Sequence, residues 1–246
     1  MTVVVAGGTR GIGLELASAL TPVGGTAVLG YAHDESAARA AVARMADEGR
    51  TAVPVRADLA EPAGARRLAD AAAELGTPVR QVVHSAVRVV TGPLLSLTEA
   101  ELTGALAVNG TSLLWLVRAL RPLLRPGSTV LYLTSRGGRS VVPGYGSVGP
   151  AKALGEALVR YLAVELAPEG IRVNALAPGT QDTAALRQVF GDRTDEVIAA
   201  TAARSPSGRL VTPADYTATA RYLASAEAGM VTGQVLFVHG GADLLG

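Results

Sequence analysis

Residues 5–14 read Val-Ala-Gly-Gly-Thr-Arg-Gly-Ile-Gly-Leu, directly after an apolar run that begins at Thr2. The glycines at positions 7, 11 and 13 have the spacing Gly-x3-Gly-x-Gly. A tight turn from a strand into a helix needs residues without Cβ, and the helix N-terminus then offers free N–H groups to a phosphate. The stretch therefore predicts a dinucleotide-binding turn, whose cofactor-binding residues are Gly7, Thr9, Arg10, Gly11, Ile12 and Gly13.

The rest of the chain alternates between short apolar runs and longer Ala- and Leu-rich segments of helical period. The runs cover residues 2–6, 26–31, 51–56, 79–84, 128–134, 171–176 and 234–239, and the helical segments lie near 11–20, 35–48, 61–75, 98–124, 150–167 and 213–225. Strands separated by helices form right-handed βαβ units with a parallel sheet. We predict the α/β class, with one domain over residues 1–246: a Rossmann-type doubly wound parallel sheet of about seven strands.

Residues 179–212 do not follow this alternation. The segment is long, mixed in polarity and interrupted by Gly191, Pro206 and Gly208. A connection of this length in a compact domain is usually functional, so we predict that residues 179–212 form a lid over the substrate.

The end of the second strand indicates which nicotinamide dinucleotide binds. A carboxylate there usually holds the ribose diol of NAD, but the chain continues through Tyr31 and His33 before the first acid, Asp34. Arg10, inside the glycine turn, carries a planar guanidinium suited to a 2′-phosphate. We therefore predict NADP(H), with Tyr31 and His33 beside the adenosine ribose. The alternative is that Asp34, displaced by a few residues, serves the diol of NAD.

The composition excludes several classes of protein. The 246 residues carry a net charge of +1, without a basic or acidic block, so we expect neither nucleic acid nor a membrane as a partner. No apolar run is expected to approach the length of a membrane span, which takes about 18 residues. The absence of cysteine rules out disulfides and thiolate catalysis and favours a cytoplasmic location. The three histidines lack metal-ligand spacing, so no metal site is expected.

Later patterns, taken in order, resemble the short-chain dehydrogenase/reductase family over the whole chain. The resemblance implies that Asp58 and Leu59 contact the adenine, and that Ser85 and Ala86, in Val-His-Ser-Ala, follow the fourth strand beside the cofactor. It also implies that Pro178, Gly179 and Thr183 flank the nicotinamide, and that Asn109 organises a proton-relay water. The predicted catalytic residues are Tyr145, Lys152, Ser135 and Asn109.

The tyrosine is displaced from its usual place in this family. The ordinary motif is Tyr-x3-Lys, but the residue four before Lys152 is Val148, and the nearest tyrosine gives Tyr145-x6-Lys152. This spacing resembles the enoyl-acyl-carrier-protein reductase branch, and specifically its members without a second tyrosine, because Ser135 stands ten residues before Tyr145. Pro150 predicts that Tyr145 lies on a loop before the helix. Lys152, the only lysine of the chain, is expected to bind the nicotinamide ribose and to lower the pKa of Tyr145.

The resemblance implies an NADPH-dependent oxidoreductase that reduces the double bond of an enoyl thioester, of fatty-acid or polyketide type. Two alternatives stay open: a carbonyl (β-ketoacyl) or imine reductase of a biosynthetic pathway, and a catalytically silent dinucleotide-binding protein. The substrate is expected to be a small molecule or an acyl group bound to a carrier. The helical segments near 98–124 and 150–167 are those through which the family forms tetramers, so a homo-oligomer, tetramer or dimer, is expected.

Overall fold

The computed structural model describes residues 1–242 and 244. Their seven strands form one parallel sheet in the order β3-β2-β1-β4-β5-β6-β7. The strands are β1 (Thr2–Ala6), β2 (Thr26–Tyr31), β3 (Thr51–Arg56), β4 (Val79–His84), β5 (Leu124–Leu133), β6 (Arg172–Pro178) and β7 (Val235–Val238). The predicted fold class is confirmed: the chain is a single α/β domain of the Rossmann type.

Nine α-helices lie among the described residues. They are α1 (Gly11–Leu20), α2 (Glu35–Asp47), α3 (Pro62–Glu74), α4 (Glu99–Leu106), α5 (Ser112–Leu120), α6 (Gly149–Leu166), α7 (Ala184–Phe190), α8 (Thr194–Arg204) and α9 (Pro213–Ala224). The single helix predicted near 98–124 is wrong in one respect. A π-helical turn, Ala107–Thr111, separates α4 from α5, and such turns occur frequently at functional sites.

The two faces of the sheet bury separate apolar clusters. One face packs against α3, α5 and α6, with Leu68, Leu113 and Val159 fully buried, and the other packs against α1, α2 and α9. Strand β5 contributes side chains to both clusters, because side chains alternate between the two faces along a strand. Val130 and Tyr132 belong to the first cluster, and Leu131 and Leu133 belong to the second. The side chain of Tyr132, the penultimate residue of β5, therefore lies on the face that packs against α6.

One segment is more apolar than the sequence analysis allowed. Residues Glu99–Leu123 are long and apolar enough, by length and composition, to cross a membrane, with a mean hydropathy of 1.2 and 44% of the apolar window buried. The expectation that no segment approaches such a span was wrong. Leu113, Leu116 and Leu120 are fully buried against the sheet, so packing in the core accounts for this composition.

The sheet order creates a crevice at one edge. From β1 the chain proceeds to β2 and β3 on one side, and then crosses to β4, β5, β6 and β7 on the other. In open α/β sheets, ligands bind outside the carboxyl ends of the strands where the order reverses. Here that point lies between β1 and β4, where the glycine turn meets Ser85 and Ala86.

Candidate active site

The glycine turn is shaped by contacts that exclude side chains. Gly7 and Gly11 have φ angles of +76° and +52°, which favour glycine. A Cβ on Gly7 would lie 2.7 Å from the Cα of Ala86, and one on Gly13 would lie 2.0 Å from the carbonyl oxygen of Gly7. Arg10, at the N-cap of α1, makes no capping hydrogen bond with its side chain. Bare backbone and uncapped N–H groups thus meet at one place, which fits a dinucleotide pyrophosphate.

An ion pair lies at the other end of this turn. Arg10 Nη1 is 3.3 Å from Asp34 Oδ2, and both side chains are exposed. The other carboxylate oxygen of Asp34 accepts a hydrogen bond from the backbone N–H of Ala37 and so caps α2. Asp34 is therefore held toward Arg10, beside Tyr31 at the end of β2 and His33 in the following turn.

Strand β3 brings further polar groups to this end of the sheet. Asp58 accepts a hydrogen bond from the N–H of Ala60 and shapes the turn after β3, next to the buried Leu59. Arg56, which was not among the predicted site residues, pairs in register with Tyr31 and donates from Nε to the carbonyl of Ala32 at 3.3 Å. Its place as the last residue of a parallel strand was a signal that could have revealed it.

A cleft of about 430 Å³ opens at the carboxyl ends of β5 and β6. Eight of the predicted site residues line it: Ile12, Ser85, Ser135, Tyr145, Lys152, Pro178, Gly179 and Thr183. The lining set does not include Arg10, Tyr31, His33, Asp58, Leu59 or Asn109. The first five belong to the β1–β3 side of the sheet and Asn109 to the π-helical turn, so the structure separates the predicted residues into distinct groups.

Tyr145 lies on the loop before α6, as Pro150 predicts. Its ring packs on Gly137, where a Cβ would lie 2.6 Å from the ring atom Cδ1. Burial raises the pKa of Tyr145, and a hydrogen bond with the Ser135 side chain opposes that rise. The expectation that Lys152 lowers the pKa of Tyr145 was therefore wrong for this state: the opposing group is Ser135, and the phenol stays protonated at neutral pH.

The loop that carries Tyr145 is fixed by buried polar contacts. Ser147 is fully buried; its Oγ donates to the carbonyl of Val90 at 2.7 Å and accepts from the N–H of the same residue at 3.1 Å. Val148, at the usual tyrosine position of the family, is also fully buried, and its carbonyl accepts from the N–H of Lys152 at 2.9 Å. The side chain four residues before Lys152 thus belongs to the core, whereas Tyr145 lines the cleft.

Lys152 lies in the first turns of α6 and is 4% exposed. Its Nζ donates to the main-chain carbonyl of Leu133 at 2.7 Å and stands 4.8 Å from the ring centroid of Tyr132. Burial lowers the pKa of Lys152 to about 7, while the charge of Glu156 raises it. The lysine is thus a desolvated cation beneath the cleft.

Asn109 holds backbone segments together. Its side-chain amide donates to the carbonyl of Arg88 and accepts from the N–H of the same residue, each at 2.8 Å. Its main-chain carbonyl accepts a hydrogen bond from the Tyr132 hydroxyl. These contacts tie the π-helical turn to β5 and to the segment after β4. The predicted role of Asn109 in a proton relay stays a prediction.

A buried carboxylate that was not among the predicted residues, Glu156, lies next to the site. Glu156 accepts hydrogen bonds from Thr134 Oγ1 at 2.8 Å and from Arg139 Nε at 3.1 Å. Arg139 in turn stands over the ring of Phe237 in β7, 4.9 Å from its centroid. These contacts join α6, the segment after β5 and β7. The signal was present, because Glu156 follows Lys152 by four residues on the same helical face.

The predicted lid segment contains α7 and α8, and residues of both line the cleft. Thr183 caps α7, and its methyl group lies 3.8 Å from the place that a Cβ on Gly11 would take. Gln188, in α7, donates to the carbonyl of Val89 at 3.1 Å. The segment therefore contacts the chain that follows β4.

Known proteins share this arrangement. The family model described as enoyl-(acyl carrier protein) reductase matches residues 6–243. The chain belongs to the short-chain dehydrogenase/reductase family. It is 30% identical over 241 residues to 1-cyclohexenylcarbonyl-CoA reductase of Streptomyces collinus, covering 98% of this chain and 86% of that protein.

Relatives with a different reaction are similarly close. The chain is 32% identical to the rhamnolipids biosynthesis 3-oxoacyl-[acyl-carrier-protein] reductase of Pseudomonas aeruginosa, covering 98% of this chain and 95% of that protein. Among solved structures, the enoyl-[acyl-carrier-protein] reductase (NADH) of Aquifex aeolicus has a TM-score of 0.88 at 26% identity, over 100% of this chain and 97% of that chain. These relatives differ in substrate, so the comparisons show the family of oxidoreductases but not the reaction of this chain.

Proposed function

We propose that this protein is an NADPH-dependent reductase of the carbon–carbon double bond of enoyl thioesters. The observation that carries the proposal is the position of the phenol. Tyr145 lines the cleft from a loop, with six residues between it and Lys152. The ordinary tyrosine position of the family holds the fully buried Val148. The proton donor is therefore displaced from the place that suits a ketone beside the nicotinamide.

The displacement suits conjugate reduction. Bound NADPH supplies a hydride from C4 of its nicotinamide. When the hydride acceptor is the β-carbon of an enoyl thioester, negative charge develops on the thioester oxygen, three bonds away. Tyr145, which is protonated because burial raises its pKa, is the group that donates a hydrogen bond to that oxygen. Ser135 lines the same cleft and opposes the rise in the pKa of Tyr145.

Arg10 supports NADP(H) as the cofactor. Its guanidinium stands beside the glycine turn and is largely exposed, and β2 ends without a carboxylate on the residues that directly follow the strand. A 2′-phosphate can displace Asp34 from Arg10, because the phosphate carries more negative charge than one carboxylate. Arg56, across the strand pair from Tyr31, adds positive charge to the same region.

The remaining parts of the proposal concern the lid and the assembly. Residues 179–212 cover the substrate, since apolar side chains of α7 and α8, among them Leu186, Val189 and Val197, line the cleft. On α6, Tyr161 and Val164 are 71% and 76% exposed, which favours a helix-to-helix contact between copies of the chain in a dimer or tetramer. We place the protein in the cytoplasm because its sequence contains no cysteine.

The decisive experiment measures NADPH oxidation with a crotonyl thioester. The wild-type protein is expected to turn over, and Tyr145→Phe is expected to lower kcat by about 10²- to 10⁴-fold, the range for loss of a general acid. Tyr222→Phe is the matched control, since Tyr222 lies on α9 away from the cleft lining. Full activity of Tyr145→Phe contradicts the assignment, and tight NADPH binding without turnover on any thioester indicates the silent binding protein.

The second candidate is a carbonyl reductase acting on β-ketoacyl thioesters. It is favoured by the presence of both Ser135 and Tyr145 in the lining of the cleft, since two hydroxyls can both donate to one carbonyl oxygen. The similarity to a 3-oxoacyl reductase supports it also. Turnover of an acetoacetyl thioester, with none of the crotonyl thioester, decides for this reaction.

A further inference from the structure

Tyr132 is a fully buried phenol that the proposed reaction does not use. It is the penultimate residue of β5 and lies on the face of the sheet that packs against α6. Burial raises the pKa of Tyr132 far above neutrality, so the phenol is uncharged at any working pH. The hydroxyl of a fully buried tyrosine normally needs a hydrogen-bond partner.

Its hydroxyl and its ring have separate partners. The hydroxyl donates to the main-chain carbonyl of Asn109, which fixes the orientation of the ring. One face of the ring lies under Lys152, whose Nζ is 4.8 Å from the ring centroid. The ring of His84 approaches at 5.4 Å between centroids, inclined by 47°. The phenol is therefore clamped between the π-helical turn, β4 and α6.

Helix α6 is built to receive this ring. A Cβ on Gly155 would lie 2.2 Å from the Tyr132 hydroxyl oxygen, so no other residue type fits there without displacing the phenol. Gly155 follows Lys152 by three residues and faces the same side of the helix. Lysine and glycine thus enclose one phenol, the first over the face of its ring and the second over its hydroxyl.

The surroundings of Lys152 make this ring electrostatically important. The ammonium is buried, and the one hydrogen-bond acceptor that the described residues offer it is the carbonyl of Leu133. The face of an aromatic ring carries negative potential and stabilises a cation, most strongly where water is excluded. Tyr132 presents such a face where a second acceptor would otherwise be needed.

Other charged groups near Lys152 do not replace the ring. Glu156, on α6, raises the pKa of Lys152, but its carboxylate is shared with Thr134 and Arg139. His84, on β4, is neutral, because burial and then the charge of Lys152 lower its pKa to about 3. Tyr145, on the loop before α6, is protonated because burial raises its pKa.

We propose that Tyr132 is a positioning residue for Lys152: its ring face holds the ammonium charged beneath the cleft, and its hydroxyl bond to Asn109 keeps the ring in place. The consequence for catalysis rests on the function proposed above, in which Lys152 serves the site of Tyr145. The stabilisation of the charge does not rest on it.

The sequence provides a direct test, because Lys152 is the only lysine of the chain. Protein labelled with ¹³C-lysine gives one side-chain Cε signal, whose chemical shift follows the protonation of Lys152 with pH. The wild-type pKa is expected near 7. In Tyr132→Leu, which removes the ring, it is expected to fall by about one unit, and in Tyr132→Phe, which keeps the ring, by much less.

Tyr216→Leu is the matched control. Tyr216 is 1% exposed, but it lies on α9 in the cluster on the opposite face of the sheet. It therefore reports what loss of any buried tyrosine does to the lysine, and it is expected to leave the titration unchanged. If Tyr132→Leu does not fold, Gly155→Ala serves in its place, because its Cβ must displace the phenol and is expected to lower the pKa of Lys152 as well.

Three results overturn the proposal: an unchanged titration in Tyr132→Leu, an equal fall in Tyr132→Phe, or an equal fall in Tyr216→Leu. Neither substrate nor turnover is needed, so the outcome is independent of the proposed reaction. Where turnover is observed, a second readout follows. The pH at which kcat falls on the alkaline side is expected to move down in Tyr132→Leu and to stay in Tyr132→Phe, whereas a merely structural defect lowers kcat equally at all pH values.

Discussion

The glycine turn, whose Ile12 lines the cleft, and the loop that carries Tyr145 are held in different ways. The turn is fixed by backbone contacts so close that Gly7 and Gly13 have no room for a Cβ. The loop is fixed by side chains: Ser147 bonds the backbone of Val90, and the Tyr145 ring rests on Gly137. The local sequence therefore determines the turn that fits a pyrophosphate, whereas the position of the proton donor depends on contacts between distant segments.

The largest effect is expected from a methyl group inside the turn. In Gly13→Ala the new Cβ would lie 2.0 Å from the carbonyl oxygen of Gly7, so the turn must deform. We expect a loss of about 1–3 kcal/mol in the free energy of unfolding, the usual cost of overpacking, and loss of NADPH binding. Urea unfolding and fluorescence titration with NADPH measure the two effects.

Gly229→Ala is the control for that substitution, because its Cβ would meet a single carbonyl oxygen at 3.2 Å and its φ is −54°. It is expected to bind NADPH as the wild type does. If Gly13→Ala also binds NADPH normally, the turn is not held by close backbone contacts, and the contrast between the turn and the loop of Tyr145 does not hold.

The second prediction concerns the loop. Ser147→Ala removes both hydrogen bonds to the backbone of Val90 and leaves buried polar groups without a partner, at a cost of about 1–3 kcal/mol. We expect kcat to fall about tenfold, because about 1.4 kcal/mol corresponds to a factor of ten, with the Kd for NADPH unchanged. Ser140→Ala, in the exposed part of the same connection, is the control. A change in the Kd for NADPH that equals the change in kcat would show that the two regions are not independent.

The third prediction is a pH dependence of stability. Burial lowers the pKa of Lys152 from 10.5 to about 7, so between these values the unfolded chain binds more protons than the folded one. The folded state is therefore expected to gain stability from this residue as the pH rises from 7, and to lose it as the pH falls toward 7. Urea unfolding from pH 7 to 9 should show this slope in the wild type and a flatter one in Lys152→Met. Equal slopes would contradict it.

The smallest effects are expected at the exposed ion pair. Arg10→Gln should weaken NADPH binding about tenfold and leave NADH binding nearly unchanged, since one charge-assisted contact to the 2′-phosphate is lost. Asp34→Asn should strengthen NADPH binding a few-fold, because the carboxylate no longer competes with the phosphate for Arg10. Paired Kd measurements at two salt concentrations check both. Tighter NADH than NADPH binding in the wild type would assign Asp34 to the ribose diol and remove NADP(H) from the proposed function.

The fold could be read from the sequence to a considerable depth. The predicted strand at 2–6 and the helix at 11–20 match β1 and α1 in their bounds, because apolar runs and glycine spacing are local signals. The helix predicted near 98–124 missed the π-helical turn at Ala107–Thr111, and β5 begins at Leu124 where 128 was expected. Both errors have one physical origin: a change in helical hydrogen bonding, or the extension of a strand, depends on what the backbone meets in space.

What the sequence determined by itself was the family, the single parallel sheet, the glycine turn and the absence of Tyr-x3-Lys, because each depends on residue types at fixed spacings. The tertiary structure alone decided that Val148 is buried, that Ser135 and Tyr145 line one cleft, and that Tyr132 lies under Lys152. Those facts follow from the packing of β5, α6 and the loop between them. Burial and hydrogen-bond partners fix the pKa of a side chain, and no spacing along the chain reveals which distant groups surround it.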